Sequence, residues 1–169
     1  GGRDAMTNEI IIKKHTEAGD LVFHTEMAGS PFFVIKAESK DIPTNTKKET
    51  AIATAAFSRA WRESLGTTEV YAISPEQVTK NEGLGKGSFM INGKREYFRP
   101  IIKLYVGLVN NYLECTPVPS EFSIKNGGKI SDCGKKIRHK VMEKYQIKYE
   151  LDDVIRILPG DCSLEVKKE

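Results

Sequence analysis

The residues best suited to acid–base chemistry sit two apart on one short stretch. His24 and Glu26 close the segment Leu21-Val22-Phe23-His24-Thr25-Glu26, and in an extended strand that spacing puts both side chains on one face. An imidazole beside a carboxylate can pass a proton or form half of a metal site. The other histidines, His15 and His139, fall in unrelated segments, so the sequence supplies no second ligand nearby. A structural or RNA-contacting imidazole competes with the catalytic assignment. The loop Gly83-Leu84-Gly85-Lys86-Gly87-Ser88 resembles a phosphate-binding loop only in part. Gly87 follows Lys86 where a Walker loop needs Ser or Thr. Its glycines give a flexible approach to the next segment and leave backbone N–H groups free to touch a phosphate. Nucleophile elbows, HExxH and paired-carboxylate motifs are absent from the sequence.

The next segment, Gly87-Ser88-Phe89-Met90-Ile91-Asn92-Gly93-Lys94-Arg95, carries two adjacent cations behind an Asn-Gly pair. Asn-Gly is a strong signal for a two-residue type I′ turn. A hairpin with Asn92-Gly93 at its tip would set Met90 opposite Arg95, Ser88 opposite Tyr97 and Lys86 opposite Arg99. Alternation then predicts Phe89, Ile91 and Phe98 on the core face, with only the stem of Lys94 packing there. The other face would hold Lys86, Ser88, Met90, Arg95, Tyr97 and Arg99, with no carboxylate. Guanidinium groups fork onto phosphate oxygens and a Tyr ring stacks on an unpaired base. The alternative is a solvated edge that its charges protect from pairing.

A second basic run spans Lys135 to Lys144, with five cations against one carboxylate. Ile137, Val141 and Lys144 recur at helical spacing, which predicts a helix with an apolar seam and a basic back. Phosphate contact and a plain exposed face are both compatible with it.

The elements that must position these groups are legible from periodicity and caps. Asp4 caps a helix running to about Lys14. Leu21–Glu26 and Phe32–Lys36 read as strands, the second apolar on both faces and therefore central. Thr46-Lys47-Lys48-Glu49 fits a capping box and opens a helix to about Leu65, with Ala53, Phe57, Ala60, Trp61 and Leu65 as its buried stripe. Val70–Ile73 is a strand. Ile101–Val109 and Tyr112–Val118 are two more, joined at Asn110-Asn111, and Asp152–Leu158 is a short amphipathic piece. The whole reads as an α+β fold. It has a mixed or antiparallel sheet, a long Trp61-containing helix packed on it, a β-hairpin at 87–99 and a C-terminal strand–helix extension.

The totals fit one soluble globular domain. The chain has 169 residues, 39% hydrophobic and 29% charged, with 26 Lys plus Arg against 23 Asp plus Glu, for +3. That excess alone names no partner, so clustering has to decide. Cys115, Cys133 and Cys162 are odd in number and widely spaced, which argues for reduced thiols in a cytoplasmic protein rather than a disulfide or zinc framework. No cofactor, metal or membrane span is expected.

Four stretches together resemble the NFACT-R domain, an RNA-binding module of ribosome quality-control factors of the RqcH and NEMF group. They are Gly1 to Glu9 (GGRDAMTNE), Asp20 to Lys36 (DLVFHTEMAGSPFFVIK), the Trp61 helix with Ser74 to Lys80 (SPEQVTK), and Gly87 to Arg95. The remaining seventy residues look most like archaeal versions. The resemblance implies a non-catalytic role: binding tRNA or rRNA in factors that act on obstructed large ribosomal subunits, with other domains of the same polypeptide as further partners. Matched polar positions are Arg3, Asn8, His24, Lys36, Lys80, Ser88, Lys94 and Arg95. Lys86, Tyr97 and Arg99 join them from the hairpin reading. The resemblance divides the chain into an NFACT-R-like core at 1–100, lacking its first strand, and an extension at 101–169 packed on the same domain. The Gly1-Gly2 opening reads as the turn after a strand, so a fragment of a longer protein is expected. Phe32 and Phe33 stand where relatives often carry a second His, and the loop before Gly87 is short. A stand-alone RNA-processing enzyme using His24 and Glu26, and a protein-interaction module using the basic helix, are the alternatives.

Overall fold

The structure, a computed structural model, describes residues 1–38 and 40–165. Two four-stranded antiparallel sheets carry the fold. The first has strands β1 (Leu21–Thr25), β2 (Phe33–Ile35), β3 (Val70–Ile73) and β6 (Glu96–Phe98), in the order β2-β1-β3-β6. The second has β7 (Leu104–Val109), β8 (Tyr112–Thr116), β9 (Phe122–Asn126) and β10 (Cys162–Leu164), in the order β10-β9-β7-β8. A two-stranded ribbon, β4 (Val78–Thr79) with β5 (Met90–Ile91), lies beside them. The predicted α+β class holds.

Each face of the first sheet has its own cover. Phe23, Val70 and Ala72 point to α2 (Thr44–Ala56) and meet Ala51 and Ala55. Small residues on that helix stripe let it approach the strands closely. Val22, Tyr71 and Ile73 point the other way and pack with Phe32, with Ile12 of α1 (Ala5–Lys14), with Ile91 of the ribbon and with Phe89 just before it. The second sheet is covered by α4 (Ile130–Tyr145) and α5 (Leu151–Ile157). Leu104, Val106, Ile124, Ile137, Val141 and Val154 are all fully buried there.

Several expectations need correction. The single helix to Leu65 is two, because the backbone breaks after Ala56. Ser58 donates its hydroxyl to Ala55 O at 2.6 Å and accepts from Ala60 N, so it caps a new helix, α3 (Arg59–Arg62). A serine that bonds nearby backbone competes with helix continuation. Trp61 therefore rides on a four-residue helix and points into the second core. Its Nε1 donates to Asp161 O at 2.9 Å, which ties the two halves together. α2 also starts three residues early, at Thr44 rather than after a Thr46 cap, with Pro43 as its uncapped lead-in. Strand β2 is an edge, not the centre.

The 87–99 hairpin does not form. β5 pairs with β4 (Val78↔Ile91, Thr79↔Met90), and β6 pairs with β3 (Val70↔Phe98, Tyr71↔Tyr97, Ala72↔Glu96). A type I′ turn needs positive φ at both central residues. Only Gly93 of the Asn92-Gly93 pair has it, at +77°, whereas Asn110 and Asn111 have +49° and +65° and make the true tight hairpin between β7 and β8. Gln77 holds the Asn92 loop open: its Nε2 donates to Asn92 O and Lys94 O at 2.7 and 2.8 Å.

Candidate nucleic-acid interface

The stretches that carry the motifs converge at one place. Asn8, on the first helix, accepts from Phe32 N at 3.0 Å and donates to Ser30 O at 3.2 Å. Gly2 lies so close that a β-carbon there would sit 2.0 Å from Asn8 Oδ1. Glu9, one residue on, accepts from Gly87 N at 3.0 Å and from the Lys80 ammonium at 3.3 Å. Lys13 is its strongest partner, and together these donors hold the Glu9 carboxyl down to about 2. Lys80 also donates to Gly85 O and Ser88 O, and lies over the Phe89 ring. The first helix, the strand after Pro31 and the Gly-rich loop are thus fastened by a few buried or half-buried polar groups.

This fixes what the expected RNA-facing residues do in the folded chain. Asn8, Lys36 and Lys80 are engaged with the protein. Lys36 pairs with Asp20 and Glu17 and donates to His15 O. Arg3 sends its guanidinium to Arg156 O at 2.8 Å, across to the second half. Lys86, Ser88 and Lys94 are exposed. His24 Nδ1 lies 2.7 Å from Thr25 O, and its ring rests on Phe32 at 4.4 Å between centroids. Burial pushes the His24 imidazole below its ordinary range.

Glu26 is instead an ion-pair partner of Arg95, at 2.8 Å. Arg95 also lies over the Tyr71 ring, 4.5 Å from its centroid, and Tyr71 is pushed up to about 12 by burial. Arg99 meets Glu69 at 3.1 Å. The face expected to be acid-free therefore has two carboxylates beside it. They come from neighbouring segments of the sheet, which the register of a single hairpin could not include. Alternation within β6 does hold: Phe98 joins the core that α2 covers, while Tyr97 is 54% exposed. Tyr97 lies on β6, the edge strand of the first sheet, and Lys94 and Arg99, both exposed, flank that strand in sequence.

The basic run is a helix, α4. Cys133, Gly134, Ile137 and Val141 make its buried seam, and Lys135, Lys136, Lys140 and Lys144 are exposed. Lys144 is committed to Glu121. The three cysteines, far apart in sequence, meet in the second core, where Cys133 and Cys162 share a hydrogen bond and burial pushes Cys115 up to about 12. Among the described residues no cluster of three or more His, Cys, Asp or Glu could hold a metal. Nor is any described helix long and apolar enough to cross a membrane.

Three arginines lie outside every candidate site marked by the sequence. Arg59, Arg62 and Arg156 line a cleft of about 1040 Å³ with Arg3, His24 and Ser88. Arg59 and Arg62 were lost inside a supposed continuous helix, and Arg156 lies in a segment with no motif.

A family model described as NFACT protein RNA binding domain matches residues 1–93. The chain belongs to that family. It is 37% identical to the archaeal Rqc2 homolog aRqcH of Methanocaldococcus jannaschii, over 99% of this chain and 27% of that protein. It is 34% identical to the human ribosome quality control complex subunit NEMF, over 59% of this chain and 10% of that protein. The chain thus spans about a quarter of the archaeal relative and a tenth of the human one. The C-terminal part of the fibronectin/fibrinogen-binding protein from Streptococcus suis shares the fold, with a TM-score of 0.51 at 23% identity over 59% of this chain and 39% of that chain. The NFACT match ends just before β6, so the second sheet and its helices lie beyond it, yet the archaeal likeness continues through them.

Proposed function

We propose that this chain is the RNA-binding module of a ribosome quality-control factor acting on obstructed large ribosomal subunits in the cytoplasm. Its partner is tRNA or large-subunit rRNA, held by phosphate and shape contacts, beside other domains of the same polypeptide. The observation that carries the reading is the match of more than half the chain to an RNA-binding domain family. The printed names of the archaeal and human relatives support the ribosomal setting. With Glu26 engaged by Arg95, the reading gives the His24–Glu26 pair no catalytic role.

The outward edge of β6 is the contact surface we assign. Lys94 is exposed, and Tyr97 presents a ring on which a base can stack. The Arg99 side chain is 80% exposed. An exposed ion pair is worth at most about 1 kcal/mol, so Arg99 can leave Glu69 for a phosphate at little cost. Arg95 is more enclosed and stays as a fixed neighbour. Lys86 lies apart from this surface, beside Met6, Glu9 and Lys13 of the first helix, and Ser88 lines the cleft with Arg3. The test is fluorescence anisotropy with a structured tRNA. Lys94→Glu with Arg99→Glu should weaken binding at least about tenfold, and Tyr97→Ala should cost about 1–3 kcal/mol of affinity. Unchanged affinity in both variants would refute this surface.

A further inference from the structure

The cleft lined by Arg3, Arg59, Arg62 and Arg156 lies between the two halves of the molecule. One wall comes from the NFACT-matched part: the first helix, the turn before Pro31, and α3. The other comes from α5, where Arg156 is followed by Leu158 and Pro159. Of the acidic residues only Asp4 lines it, and its carboxylate is occupied in accepting from Thr7 N at 2.8 Å. Four guanidinium groups thus face one spent carboxylate. Arg62 is exposed and, among the described residues, meets no ion-pair partner. Arg59 is held by Glu63 on its own helix, and Arg156 reaches only 3.9 Å from Asp153, with both side chains largely exposed. Pairs this exposed leave the cations available.

Guanidinium groups that converge on a walled cleft bind anions that present several oxygens, and phosphates match their fork. The field of four such groups between low-dielectric walls is stronger than the chain's small net charge suggests. A cleft admits one strand but not a duplex, which proteins read from outside across its grooves. Partly buried Phe33 and Phe57 add apolar surface along the lining.

We propose that this junction cleft binds the phosphodiester backbone of an unpaired RNA segment, with Arg62 and Arg156 as its two principal phosphate contacts. The inference rests on the RNA-binding reading above and adds a site that separates single strands from paired RNA. It also gives the second half of the molecule a role in binding, since Arg156 comes from α5.

The test compares a labelled oligouridylate with a blunt-ended RNA duplex, each titrated with wild type and with Arg62→Glu plus Arg156→Glu. Both side chains are exposed, so the fold should persist, and far-UV circular dichroism checks it. Arg62→Ala with Arg156→Ala serves if the charge reversal disturbs folding. The expected result is at least a tenfold loss on the single strand, a log–log salt slope shallower by about 1.4 for two lost phosphates, and less than about a threefold change on the duplex. Unchanged single-strand affinity and slope would overturn the cleft site and leave the RNA-binding reading standing. Equal losses on both RNAs would overturn it too, as a general field effect. Wild type that binds neither RNA would overturn the RNA-binding reading and the cleft with it.

Discussion

At the scale of residues, placement inside the fold decides which polar groups can meet a ligand. Asn8 satisfies the backbone of Ser30 and Phe32, and leaving such groups unpaired is costly. Its family-motif position is thus accounted for by architecture. His24 has a measurable signature. Burial lowers its pKa in the folded chain, so below about 6.5 the unfolded chain holds a proton that the folded chain does not. Stability should therefore fall as pH drops from about 6.5 toward the folded-state pKa, and His24→Gln should flatten that part of the curve. Chemical denaturation at a series of pH values checks this. A proton resonance of His24 that titrates above 6.5 would show the opposite sign. His24 and Glu26 are legible as a same-face pair, but their partners Phe32, Tyr71 and Arg95 come from other segments, so the sequence alone could not show that each was already engaged.

At the scale of elements, the Gly-rich loop and first helix are mutually fitted. Gly87 has φ +75°, and a β-carbon there would lie 2.6 Å from Ala5 Cβ. Gly87→Ala should lose about 1–3 kcal/mol through backbone strain alone, read as a lower denaturant midpoint, with further loss if Ala5 cannot shift. No change in midpoint would mean that the loop is free of the helix. Helix α1, strands β1 and β3, the β7–β8 hairpin and α4 were all legible from caps and periodicity. The 87–99 hairpin was not. Local turn propensity named Asn92-Gly93, but Gln77 and the pairing of β6 with β3 outweigh it. β9 and β10 also escaped, although Gly127-Gly128 and Pro159-Gly160 mark turns beside them, because runs of five and three residues are too short to show a clear alternation.

At the scale of the whole molecule, Trp61 joins the two halves. It is 2% exposed, packs in the second core, and bonds Asp161 O. Trp61→Ala should cost about 3–5 kcal/mol, with both halves loosening together in a single denaturation transition. Two separated transitions would show that the halves fold independently. The proposed RNA-contacting surfaces are where sequence and structure differ most. The basic side chains were legible, but their neighbours were not: Glu26 and Glu69 temper one face, while Arg59, Arg62 and Arg156 gather into a cleft that no local pattern marks.

The central claim is that this chain binds RNA through its phosphates. The most direct measurement is the affinity of the wild-type chain for a structured tRNA as salt is raised from about 50 to 200 mM. With at least about three phosphates contacted, log affinity should fall linearly with log salt, with a slope of about −2 or steeper. Affinity independent of salt, or no binding at the lowest salt, would contradict the account.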